Sequence, residues 1–189
     1  MAFRDIYRNQ AALLIRVIPF VAKENAFALK GGTAINLFVR NMPRLSVDID
    51  LTYLPVEDRA TSLAAIDAAI LRIKASIETG IREARVQASR SADENVITKL
   101  IVRAADVQIK IEVTPVMRGA VYDPAVTDVA PAVESEFGFA TTLVVSAADL
   151  YAVKIVSALD RQHPRDLFDV RDLLAHEGIS DELRRAFLV

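Results

Sequence analysis

The chain has 189 residues, 52% of them apolar and 25% charged, with a net charge of −2. That is enough apolar material for one domain with a sizeable core, and the balance is unlike the basic one expected of a broad nucleic-acid-binding face. Cysteine is absent, which excludes disulfides, thiolate catalysis and cysteine-built zinc sites.

Residues 3 to 24 are predicted helical, because Leu13, Leu14, Val17, Ile18 and Val21 recur at helical spacing, with Pro19 kinking or ending the helix. The apolar run "AALLIRVIPFVA" is short and broken by Arg16. It fails as a signal peptide and as a membrane span, so a cytoplasmic protein without a membrane partner is expected. "FALK" reads as a short strand running into the turn Gly31-Gly32, and "TAINLFVR" as a helix with Thr33 as N-cap. "NMPR" reads as a loop, and "SVDIDLTYL" alternates as a half-buried strand ended by Pro55. A long helix follows over "VEDRATSLAAIDAAILRIKASIETG", with Gly80 as its stop. Arg72, Lys74, Arg82, Arg85 and Arg90 alternate with Glu78, Glu83 and Asp93, which reads mostly as a solvated helix face. "NVITKLIVRA" and "DVQIKIEVTP" are two further strands, a hairpin turning near Ala105-Asp106. Residues 116 to 146 read as loops with one or two short strands, and helices occupy the chain from Ser146 onward.

This order is an α+β arrangement, a small mixed β-sheet with helices beside it. The expected division is an α+β core over residues 1–145 and a helical C-terminal part over 146–189 packed on it.

Four features carry chemistry. In "SVDIDL", Val47, Ile49 and Leu51 face one way and Asp48 and Asp50 the other, their Cα atoms ~6.5 Å apart. Two carboxylates so placed can reach one hard divalent cation or a pair of them, and Mg²⁺ favours such a set completed by water and phosphate oxygens. The plainer reading is the solvated face of an edge strand, although Asp is depleted in strands. Gly31 and Gly32, between a strand and a helix, let backbone approach a ligand, and the helix start offers N–H groups to an anion. Lys30 stands beside this corner and Thr33 adds a hydroxyl. In "VQIKIEV", Glu112 shares a polar face with Gln108 and Lys110. It joins the aspartates if its strand lies next to theirs, as a metal ligand or as an acceptor of a proton from an attacking hydroxyl; otherwise Lys110 and Glu112 are solvated charges. Finally, Lys154 lies in the apolar helix "LYAVKIVSAL" seven residues before Arg161, on the same helix face, and together they would bind triphosphate. Pro164 opens the next helix, along whose flank run Asp166, Asp169 and Asp172. The alternative there is an ion-pair ladder such as Arg165–Asp169, with Asp166 favoured by the helix dipole. His163 and His176 lack metal-ligand spacing and read as surface or capping residues.

These features, in this order, resemble a family. "KGGT…RLSVDIDL" is similar to the glycine-pair and D-x-D signature of the DNA polymerase beta-type nucleotidyltransferase superfamily. Together with "VQIKIEV" and "DLYAVKIVSALDRQHPRDLFDV" it resembles, over Ala28 to Leu174, the AbiEii/AbiGii-type nucleotidyltransferase toxins of bacterial toxin–antitoxin and abortive-infection systems. The resemblance implies a nucleotidyltransferase-like core and Mg²⁺ held by Asp48 and Asp50. It places Gly31, Gly32 and Ser46 near the phosphates, Lys154 on them, and Asp166 or Asp169 completing the site. Lys30, Thr33, Arg161 and Arg165 join Asp169 as candidate nucleotide contacts. Glu112 stands where the superfamily more often has Asp. The function implied is transfer of NMP from an NTP to an acceptor such as tRNA, with neutralisation by a cognate antitoxin protein. The competing expectations are a nucleotide- or partner-binding module without catalysis and a small-molecule nucleotidyltransferase of the antibiotic-modifying kind.

Overall fold

A computed structural model of the chain describes residues 3–91 and 96–189. Seven strands form one mixed sheet: β1 (Phe27–Lys30), β2 (Asp48–Tyr53), β3 (Arg85–Arg90), β4 (Ile97–Ala104), β5 (Val107–Arg118), β6 (Ala125–Asp128) and β7 (Thr141–Val144), in the order β3-β4-β5-β2-β1-β7-β6. The α+β expectation is borne out. The D-x-D strand β2 is not an edge strand: it is fourth of seven, antiparallel to β1 and parallel to β5.

Helix α1 (Phe3–Val21) packs on β5, and α3 (Arg59–Gly80) packs on β3, β4 and α1. Both cover the sheet face that buries Ile49, Leu51, Leu100, Val102, Ile109 and Ile111, which alternate with polar residues as the period of a strand requires. Pro19 lies two residues from the end of α1 and does not stop it earlier. Gly80 is the last residue of α3, and its role is space. A Cβ there would lie 2.2 Å from the ring of Phe20, so a larger residue would push the two helices apart.

The short helix α2 (Gly31–Thr33) widens into a π-helical segment, Ala34–Val39. Thr33 does not cap it. The N-cap position belongs to Lys30, and the Thr33 side chain is fully buried. Two elements were not anticipated. Arg85 and Arg90, expected on a helix face, lie on β3. Pro131–Phe137 forms a helix, α4, with its proline in the first turn, where the missing N–H costs nothing. β5 also runs past Pro115 to Arg118. The hairpin turn at Ala105-Asp106 is where the sequence places it, with Ala105 at φ 48°.

The C-terminal helices are α5 (Ala147–Arg161), α6 (Pro164–His176) and α7 (Asp181–Leu188). Ser146 and Ser180 cap α5 and α7, and His163 caps α6 by accepting the Arg165 N–H. Helix α5 lies against α2 and the π-helical segment, and α6 and α7 pack on α5. This brings the α5–α6 corner over the C-terminal end of β1 and the polar face of β2 and β5.

Candidate active site

A cavity of ≈ 450 Å³ opens between the sheet and the α5–α6 corner. Its walls hold Lys30, Gly31, Gly32, Ser46, Asp48, Asp50 and Glu112 from the sheet side. Lys154, Arg161, Arg165 and Asp166 face them from the helices. Two of the expected site residues, Thr33 and Asp169, are not in the wall.

The carboxylates come together through strand register. Asp48 lies beside Lys110 and Asp50 beside Glu112 across the parallel β2–β5 pair. Glu112 thus points into the same cavity as the two aspartates. It is nevertheless drawn away by lysines: Lys99 Nζ is 2.6 Å from its carboxylate and Lys110 Nζ 3.5 Å. Lys110 also stands 3.6 Å from Asp48. Burial alone would raise the Glu112 pKa, but the hydrogen bonds and charges of Lys99 and Lys110 outweigh it and hold the carboxyl below its usual range. Asp50 differs: burial, then the neighbouring charges of Asp48 and Glu112, push its pKa up. Burial also lowers the pKa of Lys30, against the pull of Asp50. Among the described residues, no three His, Asp or Glu side chains stand close enough together to hold an ion as placed. The pair Asp48–Asp50 still suits a hard cation whose other ligands are phosphate and water, because the charge of Asp48 makes ionised Asp50 costly without one and both line one open cavity.

The glycine corner abuts these acids. Gly31 adopts φ +74°, and a Cβ on it would lie 2.5 Å from Oδ2 of Asp50. A Cβ on Gly32 would lie 3.1 Å from both an Arg44 guanidinium nitrogen and the Ser46 hydroxyl. The corner therefore leaves its backbone accessible while an acid, a cation and a hydroxyl close on it. Thr33 supports it from behind. Its hydroxyl bonds to Ser46 Oγ at 3.0 Å and donates to the Asp48 carbonyl, tying the start of β2 to the helix. It is a strut between the two motifs, away from the ligand space.

The helix side is an ion-pair network. Lys154 is 7% exposed, and its ammonium sits 3.0 Å from Asp166 and 3.3 Å from Asp169. Arg161, one helix face along as expected, pairs with Asp166 at 2.7 Å. Burial would raise the Asp166 pKa, but the hydrogen bonds from Arg161 and Lys154 prevail and hold it low. Asp166 and Asp169, each 2% exposed, are engaged by cations, Asp166 by Lys154 and Arg161 and Asp169 by Arg44. Asp169 does not pair with Arg165, as a helical ladder would require. It accepts from Arg44 Nε at 2.9 Å and from the buried Asn36 amide at 3.2 Å, and the same amide donates to the Gly32 carbonyl at 2.9 Å.

Arg44, Asn36 and Lys99 are not singled out by the sequence, and Lys110 is read there only as a polar-face or solvated charge. Arg44 lay in a segment read as loop, and its partner Asp169 is 125 residues away. Lys110 was legible in principle, because alternation places it on the polar face with Glu112.

Comparison with known proteins gives the chain's family and fold. A family described as "Nucleotidyl transferase AbiEii toxin, Type IV TA system" matches residues 12–189. No curated protein matches the chain. Among solved structures, the chain is similar to MenT4, a nucleotidyltransferase toxin from Mycobacterium tuberculosis H37Rv. The TM-score is 0.70 at 17% identity, over 95% of this chain and 62% of that one. The chain thus spans under two thirds of the length of MenT4, and at this identity the likeness concerns the fold. With the family match covering nearly all of its length, the chain belongs to the AbiEii nucleotidyl transferase toxin family of type IV toxin–antitoxin systems.

Proposed function

We propose that the protein is a Mg²⁺-dependent nucleotidyltransferase toxin that transfers NMP from an NTP to an RNA acceptor, tRNA being the leading candidate, and that a cognate antitoxin opposes it in the cytoplasm. The observation that carries this reading is the convergence of Asp48, Asp50 and the Gly31-Gly32 corner on one cavity with Lys154 and Arg161 opposite.

Asp48 and Asp50 would hold the metal, which supplies charge neutralisation for the phosphates and the incoming hydroxyl. The backbone at Gly31-Gly32 and the Ser46 hydroxyl cradle phosphate oxygens. Lys30 and Arg161 add positive charge from either side, and Arg165 lines the cavity beside them. Lys154 acts mainly through the electrostatic frame it makes with Asp166 and Asp169, which fixes Arg161 and, through Asp169, Arg44. In the transfer, the acceptor oxygen bonds to the α-phosphorus, the bond to the β-phosphate oxygen breaks, and pyrophosphate leaves. The acceptor's proton passes to Glu112, which Lys99 and Lys110 keep ionised. A carboxylate with a lowered pKa is a weak base, so positioning and charge neutralisation supply most of the acceleration.

The test is incubation with NTPs labelled at the α- or the γ-phosphate, Mg²⁺ and total RNA. The proposal expects the α-label in RNA and the γ-label in released pyrophosphate. Label reaching RNA from the γ-position, or from neither, would contradict it.

A further inference from the structure

The open face of β3, β4 and β5 carries cations beyond those in the cavity. Register sets Arg85 opposite Arg103, and Arg103 opposite Gln108. Two rows further on, past Ile101 opposite Lys110, Lys99 lies opposite Glu112. Like charges placed directly across an antiparallel pair destabilise it, so the Arg85–Arg103 pairing calls for a compensating use. Both are exposed, and both hydrogen-bond to neutral groups. Arg103 donates to Gln108 at 3.1 Å and Gln87 at 3.2 Å, and Arg85 donates to the Ala84 carbonyl at 3.0 Å. Glu78 lies near enough to Arg85 to feel its charge, but its own carboxylate is engaged by Lys74 and the Val86 N–H. Within these three strands, the one acid on this face is Glu112, at the cavity end. From β3 to β2 the face spans three strand spacings, ~14 Å, with Asp48 one row along from Arg85.

We propose that this face is the track on which the phosphodiester backbone of the acceptor RNA lies as its hydroxyl reaches Asp48 and Asp50. The inference rests on the transfer reading above and names where the acceptor docks. The chemistry of the face selects the occupant. Cations flanked by amides match phosphates. No aromatic side chain stands among the outward residues of these strands; Ile101 is the large apolar group between the Arg103 and Lys99 rows, and the exposed Val116 and Met117 lie further along β5, past Glu112, so the face offers neither stacking for bases nor the aromatic anchors on which protein interfaces depend. Binding on it should be indifferent to sequence and sensitive to salt.

The test uses the full chain carrying Asp48→Asn, so that binding is read without turnover. The probe is a fluorescent single-stranded oligoribonucleotide of about 12 nucleotides, within the usual span of such sites. Adding Arg85→Gln and Arg103→Gln should weaken binding about tenfold at low salt and reduce the log–log salt slope by about 1.4, or ~0.7 per lost phosphate contact. Arg85→Lys with Arg103→Lys should keep most of both. Unchanged affinity and slope in the glutamine pair would overturn the proposal. So would loss of binding to poly-glutamate with the oligoribonucleotide still bound, which would assign the face to an acidic protein. This assay involves no transfer, so it reads independently of whether the parent protein moves NMP.

Discussion

Gly31 stands against Asp50 so closely that any Cβ on it would lie 2.5 Å from the Asp50 Oδ2 atom. Its φ of +74° further disfavours an L side chain, by about 1–2 kcal/mol. Gly31→Ala should therefore displace the Asp50 carboxylate and cut transfer on the order of 10³-fold, the scale of losing one preorganised electrostatic group. The thermal midpoint should fall only by several degrees. Steady-state kinetics beside thermal melting checks this; activity within tenfold of the parent would show that the corner tolerates a side chain and does not set the position of Asp50.

Asp50→Asn should abolish transfer and raise thermal stability at neutral pH. The sign follows from the raised pKa of Asp50. A carboxyl whose folded pKa lies above its unfolded value destabilises the fold once ionised. That cost is present above the folded pKa and relieved as pH falls through it. The gain from Asp50→Asn should accordingly shrink toward acid pH, in metal-free buffer. Melting curves across pH 4 to 8 measure it, and a variant that melts below the parent at pH 7 would contradict the account.

Lys154→Ala should be costly to the fold, because it leaves Asp166 and Asp169 buried with their shared cation gone. Breaking one side of a buried pair costs roughly 3–5 kcal/mol, which in a chain of this size is on the order of 10 °C. Lys154→Met combined with Asp166→Asn should recover much of that loss while leaving transfer impaired, since Arg161 then loses its anchor. Recovery of full activity in the double variant would show that the network is structural alone.

Glu112→Gln should slow transfer by about 10²-fold, the low end for a general base. Its carboxylate is held below the usual range by Lys99 and Lys110 and is correspondingly weak. Mg²⁺-dependent nucleotide binding should persist, as calorimetry with a non-hydrolysable NTP would show. Loss of that binding would make Glu112 a metal ligand instead.

Much of this site was legible in the sequence because it follows from local periodicity. Alternation alone puts Asp48 and Asp50 on one face and Lys110 and Glu112 on another strand's polar face. The glycine pair marks the corner, and the seven-residue spacing aligns Lys154 with Arg161. Sheet order was not legible, and it converted an apparent edge strand into the central one. Thr33 was misread because a hydroxyl after two glycines looks like a cap, whereas its true partners, Ser46 and the Asp48 carbonyl, lie on the far side of a loop. Arg44 and Asp169 meet only in the folded state, so neither sequence neighbourhood announces the pair. Strand β3 was hidden because "RVQASR" mixes small and charged residues and its arginines suit a helix face equally well. Helix α4 was hidden behind its own start signal, Pro131.

The central claim is that Asp48 and Asp50 make this fold a metal-dependent nucleotidyltransferase. Initial rates of α-label incorporation into RNA, measured against Mg²⁺ concentration for the parent and for Asp48→Asn at matched thermal stability, test it most directly. The account predicts a saturable rise with Mg²⁺ in the parent and background incorporation in the variant at every concentration. Equal rates in the two proteins, or undiminished incorporation by the parent in chelator, would contradict it.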